Sequence, residues 1–296
     1  LGRVKQEGFA LIHPVSKVTR AAVLTISMTM TLGGCAMLGL SADAGTDAAT
    51  DAAIAKAAIG SHRSAENIAR NAYRHPVETL SFFGLRQDMT VIEILPGGLW
   101  YTEILAPVVA EQGQYIAAGY DIDLPDQPDY RKRGHDQMVK RFKNEAAVFG
   151  NAKMAKITAP TSIDLGEDGS ADMVLTFRSN HGWIRDGGAE AAYAAFFDVL
   201  KPGGVLGVVQ HRAGEATDTT KFNGYVPTEK VVALAVAAGF ELEASSEVNA
   251  NPKDMANYEG GVWTLPPSLR NGDEGAAEYL AIGESDRMTL RFRKSL

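Results

Sequence analysis

The stretch Phe177-Arg178-Ser179-Asn180-His181-Gly182-Trp183 gathers an imidazole, a guanidinium and an amide between two aromatic rings. Histidine titrates nearest neutrality, so His181 can take or return a proton, while Arg178 and Asn180 can orient a polar or anionic substrate. His211 and Arg212 form a second such pair. A plainer reading stands beside each: His181 and Trp183 could cap and pack a loop, and His211 and Arg212 could simply close a strand. The six histidines show no H-E-x-x-H or comparable spacing, so no metal is expected.

A second set consists of acids and glycines. Glu93-Ile94-Leu95-Pro96-Gly97-Gly98 ends one apolar run, and Asp121 and Asp123 end the next. Glycines let a backbone approach a ligand closely, a following helix points free N–H groups at it, and an acid such as Asp121 can hydrogen-bond a ribose diol. A tight structural turn would explain the Gly-Gly pair as well. The G-x-G-x-x-G fingerprint is absent, which disfavours a nicotinamide dehydrogenase. Tyr73 and Arg74, in N-terminal helices, and Trp263, in an apolar loop with Pro266 and Pro267, are candidate substrate contacts; packing alone is the alternative for the first two. Tyr130 to Lys143 carries six Lys/Arg and reads as a solvated helix face rather than a nucleic-acid site.

Alternating strands and helices must position these residues. Met89–Leu95, Gln114–Tyr120, Lys153–Thr158, Ala171–Phe177 and Val205–His211 read as buried strands separated by helices over 101–111, 129–149 and 189–200. Glu241–Val248, after a helix over 228–237, and Arg287–Arg293 alternate without a helix between them, only a loop over 249–284, so they should pair antiparallel. Residues 64–83 are helical on either side of Pro76, which lacks the N–H donor a continuous helix needs. The fold class is therefore α/β: a seven-stranded, mostly parallel, doubly wound Rossmann-like sheet with an antiparallel last strand pair, plus N-terminal helices.

Composition narrows the class further. The 296 residues are 45% hydrophobic, which excludes a disordered chain, and the net charge of −7 argues against a general nucleic-acid binder. A single cysteine cannot form an internal disulfide or a thiolate metal site. Lys17 and Arg20 precede the uncharged run AAVLTISMTMTL, about 12 residues and too short to span a bilayer. The run ends at Leu32-Gly33-Gly34-Cys35, which resembles the lipobox of bacterial lipoproteins. That resemblance implies a signal peptide over 1–34, lipid on Cys35, a tether and short helix over 35–60, and a folded domain over 61–296 on the periplasmic face of a bacterial envelope. Cleavage after Ala44, giving a soluble exported protein, is the alternative.

The Glu93–Gly98 turn, Asp121 and Leu200-Lys201-Pro202-Gly203-Gly204 together resemble the class I S-adenosylmethionine (SAM) methyltransferases. Ala69–Pro76, Val91–Thr102, Val174–Trp183 and Asn249–Pro267 resemble, more narrowly, a group of exported bacterial proteins known as predicted methyltransferases. The resemblance implies SAM as cofactor, held by Glu93, Pro96, Gly97, Gly98, Asp121 and Phe177. It also implies methyl transfer to a small molecule, with His181, Asn180 and His211 as catalytic candidates and Arg178, Tyr73, Arg74 and Trp263 as substrate contacts. Leu95 and Leu99 stand where the family's turn has glycine, and Ala159-Pro160 replaces its adenine-binding acid. SAM is made in the cytoplasm, whereas this chain is expected to be exported. A non-catalytic envelope binding protein that kept the fold is therefore the rival reading. A pocket at Gly97 filled by Leu99 would favour it; an open one faced by Asp121 would favour the enzyme.

Overall fold

The computed structural model describes residues 47–296; Cys35, the leader and both cleavage sites lie outside them. Eight strands form one sheet: β1 (Thr90–Ile94), β2 (Gln114–Gly119), β3 (Lys153–Thr158), β4 (Ser162–Asp164), β5 (Ala171–Phe177), β6 (Leu200–His211), β7 (Phe240–Ser246) and β8 (Arg287–Lys294). Their order is β4-β3-β2-β1-β5-β6-β8-β7. The five strands β3-β2-β1-β5-β6 run parallel, and β8 lies antiparallel to both β6 and β7.

The sheet has one strand more than the seven expected. β4 is three residues long and folds back antiparallel on β3 at the sheet edge. So short a strand has no alternation from which sequence could infer it. The other seven lie where the pattern put them, because parallel strands covered on both faces must be continuously apolar. β1, for example, is buried at every position after Thr90.

Helices cover both faces. On one, α1 (Ala48–Ala58), α4 (Pro76–Phe83), α5 (Thr102–Val109) and α7 (Ala146–Phe149) pack on Val91, Tyr115, Ala117, Met173 and Leu175. On the other, α9 (Ala189–Val199) and α10 (Thr228–Ala237) pack on Ile92, Ile94, Val174 and Leu206. Alternate residues of each strand thus feed opposite cores. α1 begins at an Asp47 cap whose carboxylate accepts the Thr50 N–H at 2.7 Å, and it buries Ile54 completely. Between α1 and α4 run α2 (Ala65–Ala69) and α3 (Asn71–Arg74); His75, at φ +41°, turns the chain so that Pro76 can start α4 without needing a donor.

The long segment before β8 is more ordered than a bare loop. It holds a 3₁₀ turn (Gly261–Thr264) and α11 (Ala276–Ile282), which buries no residue and so has no apolar stripe to reveal it. Asn249 fastens its start, with Nδ2 donating to the Thr79 and Thr289 hydroxyls at 3.0 Å each.

Candidate functional site

A cavity of about 620 Å³ opens at the carboxyl ends of β1, β2, β3, β5 and β6, the side where open α/β sheets hold ligands. Its floor begins with the turn after β1. Leu95, Gly97 and Leu99 all adopt left-handed backbone, at φ +49°, +58° and +64°. For a side-chain-bearing residue that conformation costs about 1–2 kcal/mol. The turn keeps it nonetheless, and burial of the Leu99 side chain in the α5 core offsets the strain. Leu99 therefore points away from the cavity. A Cβ at Gly98 would meet nothing within 4 Å, and one at Gly97 only the Leu95 carbonyl at 3.9 Å, so the turn leaves open space above it.

Of the residues expected here, Pro96, Gly97, Gly98, Phe177, Arg178, His181, His211 and Trp263 line the cavity. Five others do not. Glu93 alternates with Ile92 and Ile94, so it faces the α5 core; it is buried, and its carboxylate accepts from Thr102 Oγ1 at 2.7 Å and Tyr115 OH at 2.6 Å. Burial raises its pKa to about 7 against the lowering effect of those hydroxyls. Asp121 closes β2 but turns toward the β3–β4 hairpin, accepting from Ser162 Oγ at 2.7 Å and pairing with Lys156 at 3.1 Å. Those two partners hold its pKa below the ordinary carboxylate value.

Asn180 is fully buried at the start of α8 (Asn180–Asp186), where its Oδ1 accepts from Tyr193 OH at 2.6 Å. Tyr73 lies at the surface against Gly283. Arg74 lies behind the cavity, fully buried, with its guanidinium over the Trp100 ring at 4.8 Å and Nε on Glu284 at 3.0 Å. Strand alternation directs Glu93, and local polar or packing partners direct the others, neither of which residue type alone encodes.

The two histidines differ in role. Gln210 is fixed by the Asn180 N–H, which donates to its Oε1 at 3.2 Å, and by the Gly224 carbonyl, which accepts from its Nε2 at 3.1 Å. The remaining amide hydrogen faces His181 Nδ1 at 3.4 Å, so neutral His181 carries its proton on Nε2 and offers a donor. Burial, then Arg178 and Arg185, push its pKa down to about 4. His211 is held well below its ordinary value by burial and then by Arg178, with Nδ1 2.6 Å from Ser285 Oγ. Both rings are therefore neutral at pH 7 and both line the cavity; His211 can accept a proton on Nε2 when its Nδ1–H donates to Ser285 Oγ.

The sequence reading missed Gln210, Glu284, Ser285 and one face of α6 (Asp129–Asn144). Tyr130, Gly134, Gln137 and Met138 recur at helical spacing and face the cavity, while Arg131 stacks over Tyr120 at 4.0 Å. The concentration of six basic residues in an acidic chain was the available signal. Among the described residues, three of the seven non-glycine residues with positive φ (Leu95, Leu99 and Arg178) sit in the turns after β1 and β5. Backbone strain gathers at sites that hold ligands.

No family model and no curated protein matches the chain. Solved structures do. A SAM-dependent methyltransferase from Aquifex aeolicus is 16% identical, covering 76% of this chain and 92% of its own, with a TM-score of 0.50. The [4+2]-cyclase SpnF is 16% identical over 80% of this chain and 86% of its own, with a TM-score of 0.52. A candidate sarcosine dimethylglycine methyltransferase from Galdieria sulphuraria is 14% identical over 85% and 92%, with a TM-score of 0.51. This is the class I methyltransferase fold. Likeness at these identities establishes architecture alone, and the presence of a [4+2]-cyclase among the neighbours illustrates that the methyltransferase fold does not dictate chemistry.

Proposed function

We propose that the chain is a SAM-dependent methyltransferase acting on a small molecule in the cell envelope. The left-handed backbone at 95, 97 and 99 carries this reading. Leucines hold a glycine conformation at an energetic cost, which points to the turn's shape rather than its composition being what is kept. The site fits the cofactor at that turn, where Pro96, Gly97 and Gly98 would hold its amino-acid end under an open space. At the ribose end, Asp121 must first exchange Lys156 and Ser162 for the diol. The Lys156 side chain is 45% exposed but the Asp121 side chain only 11%, so the diol must replace a part-buried ion pair and the Ser162 hydrogen bond.

Bound SAM would supply an electrophilic methyl for in-line displacement by an acceptor heteroatom. The chain's residues would do the rest. His181 donates from Nε2 and orients the acceptor. Neutral His211 takes the proton that the acceptor loses. Phe177, stacked on Tyr101 at 3.6 Å, and Trp263 exclude water from the cavity.

Calorimetric titration of the full chain with SAM and S-adenosylhomocysteine tests the reading. Saturable heat is expected with both, and Gly98→Leu, which fills open space without touching the fold, should abolish it at unchanged melting temperature. No heat with either ligand would sink it. The rival, a binding protein without catalysis, draws on the engagement of Asp121 and predicts that outcome. The envelope setting rests on the leader and Cys35, and metabolic labelling with palmitate should mark Cys35; an unlabelled protein cleaved after Ala44 would remove the anchor.

A further inference from the structure

Behind the β5–β6 side of the cavity lies a group of charges that do not balance. Glu284 is buried and receives Arg70 Nε at 2.6 Å, Arg74 Nε at 3.0 Å and Arg287 Nη1 at 3.2 Å. Arg178 is a fourth cation within its field: apart from desolvation, Glu284 is the largest influence on its pKa, which burial lowers to about 10. Four guanidiniums thus share one carboxylate. Arg74 Nη1 and Nη2 and Arg287 Nε are buried without hydrogen-bond partners. The guanidinium of Arg178, which lines the cavity, has no hydrogen-bond or ion-pair partner among the described residues.

Buried like charges repel, and each unpaired cation costs several kcal/mol of desolvation. The arrangement is stable as part of a binding site when an anion enters and completes it. Arg178 is also held in strained backbone, at φ +66°, with its N–H donating to the Val209 carbonyl at 2.7 Å. That bond ties it to the end of β6, and His181, His211 and Ser285 line the same cavity.

We infer that Arg178 is the seat of a carboxylate group on the substrate, backed by the excess positive charge of Arg70, Arg74 and Arg287. This deepens the methyl-transfer reading and rests on it for the word substrate. Of the arginines that line the cavity, Arg131 lies over Tyr120, Arg185 pairs with Asp186 and Arg133 is exposed, whereas the Arg178 guanidinium offers two parallel donors that match a planar carboxylate. A neutral His181 donor and a neutral His211 acceptor beside the seat would face the rest of the molecule, so the substrate is a carboxylic acid with a second, methylatable heteroatom.

Tryptophan fluorescence of the full chain tests this at constant ionic strength, since Trp183 and Trp263 both line the cavity. The probes are benzoate, its neutral analogue benzamide, inorganic phosphate and S-adenosylhomocysteine. Benzoate is expected to bind about tenfold or more tightly than benzamide and to outcompete phosphate. Arg178→Gln should erase the preference for benzoate, keep S-adenosylhomocysteine affinity within about twofold, and melt no lower than the unmodified chain, because it removes an uncompensated buried charge. Arg178→Lys should retain part of the preference.

Equal binding of benzoate and benzamide by the unmodified chain would overturn the inference without reference to any variant. So would a preference that survives Arg178→Gln, or phosphate as the stronger ligand. A parallel loss of S-adenosylhomocysteine in Arg178→Gln would assign the seat to the cofactor's carboxylate and overturn it too. No S-adenosylhomocysteine binding with the benzoate preference intact would sink methyl transfer and leave the anion seat standing.

Discussion

Two arginine clusters flank Trp100, and they are built on opposite principles. In the first, Glu103 is buried and accepts from Arg63 Nε at 3.2 Å, Arg141 Nη1 at 2.5 Å and Asn67 Nδ2 at 2.9 Å. Arg141 also reaches Glu145, and Arg63 spends its other nitrogens on Ala58 O, Asn71 Oδ1 and Trp100 O. Two cations meet two anions, and every guanidinium nitrogen of Arg63 is used. In the second, Arg70, Arg74, Arg178 and Arg287 surround Glu284 alone, and buried nitrogens are left over. Arg63 and Arg74 both lie over the Trp100 ring, at 4.6 and 4.8 Å, so the same aromatic supports a closed network and an open one. The closed network ties the N-terminal helices to α5 and α6. The open one borders the cavity. A satisfied buried cluster speaks of structure, and an unsatisfied one beside a cavity speaks of a missing partner.

The largest expected effect separates the clusters by their response to an anion. Glu103→Leu strands Arg63 and should lower stability by about 3–5 kcal/mol, and a given benzoate concentration should return no more stability than it gives the unmodified chain. Glu284→Leu should cost a similar amount, but removing the shared carboxylate should tighten benzoate at the seat, so the same benzoate concentration returns more stability here than in Glu103→Leu, reaching roughly 2.7 kcal/mol at about 100 times the variant's dissociation constant. Thermal melts with and without benzoate measure both. An identical benzoate response in the two variants would erase the distinction.

A smaller effect comes from Glu93, a third buried carboxylate with no cation paired to it. Its pKa is raised from 4.5 to about 7, chiefly by burial, so between those values the folded chain holds a proton that the unfolded chain has released. Stability from this group is therefore full below pH 4.5 and falls as pH rises to 7, by about 3 kcal/mol at most. Glu93→Gln keeps an acceptor for Thr102 and Tyr115 and should flatten that fall in melts from pH 4.5 to 8. A fall equal to that of the unmodified chain would show that Glu93 ionises freely where it lies.

The parallel strands were legible because their burial on both faces forces unbroken apolar runs, and the turns after β1, β2 and β5 were legible because glycines and polar residues end those runs. β4 and α11 were not, since one is too short and the other too exposed to leave a period. Within the site, the residues at strand ends and in turns (Pro96, Gly97, Gly98, Phe177, Arg178, His211) fell at the cavity as expected. Glu93, Asp121, Asn180, Tyr73 and Arg74 did not, because each has another polar or packing environment that sequence order does not reveal.

Chain order by itself determined that the glycine turn, the acid of β2 and the histidines would gather at one edge of a parallel sheet. That follows from topology, which hydrophobic periodicity and turn residues specify locally. Only the tertiary structure decided which way each side chain turned and which charges were shared. Arg74, Arg178 and Arg287 are more than 100 residues apart at their extremes, and Glu284 meets Arg70 across 214 positions. An imbalance of charge is a property of such a meeting, because it depends on how many partners share one buried space.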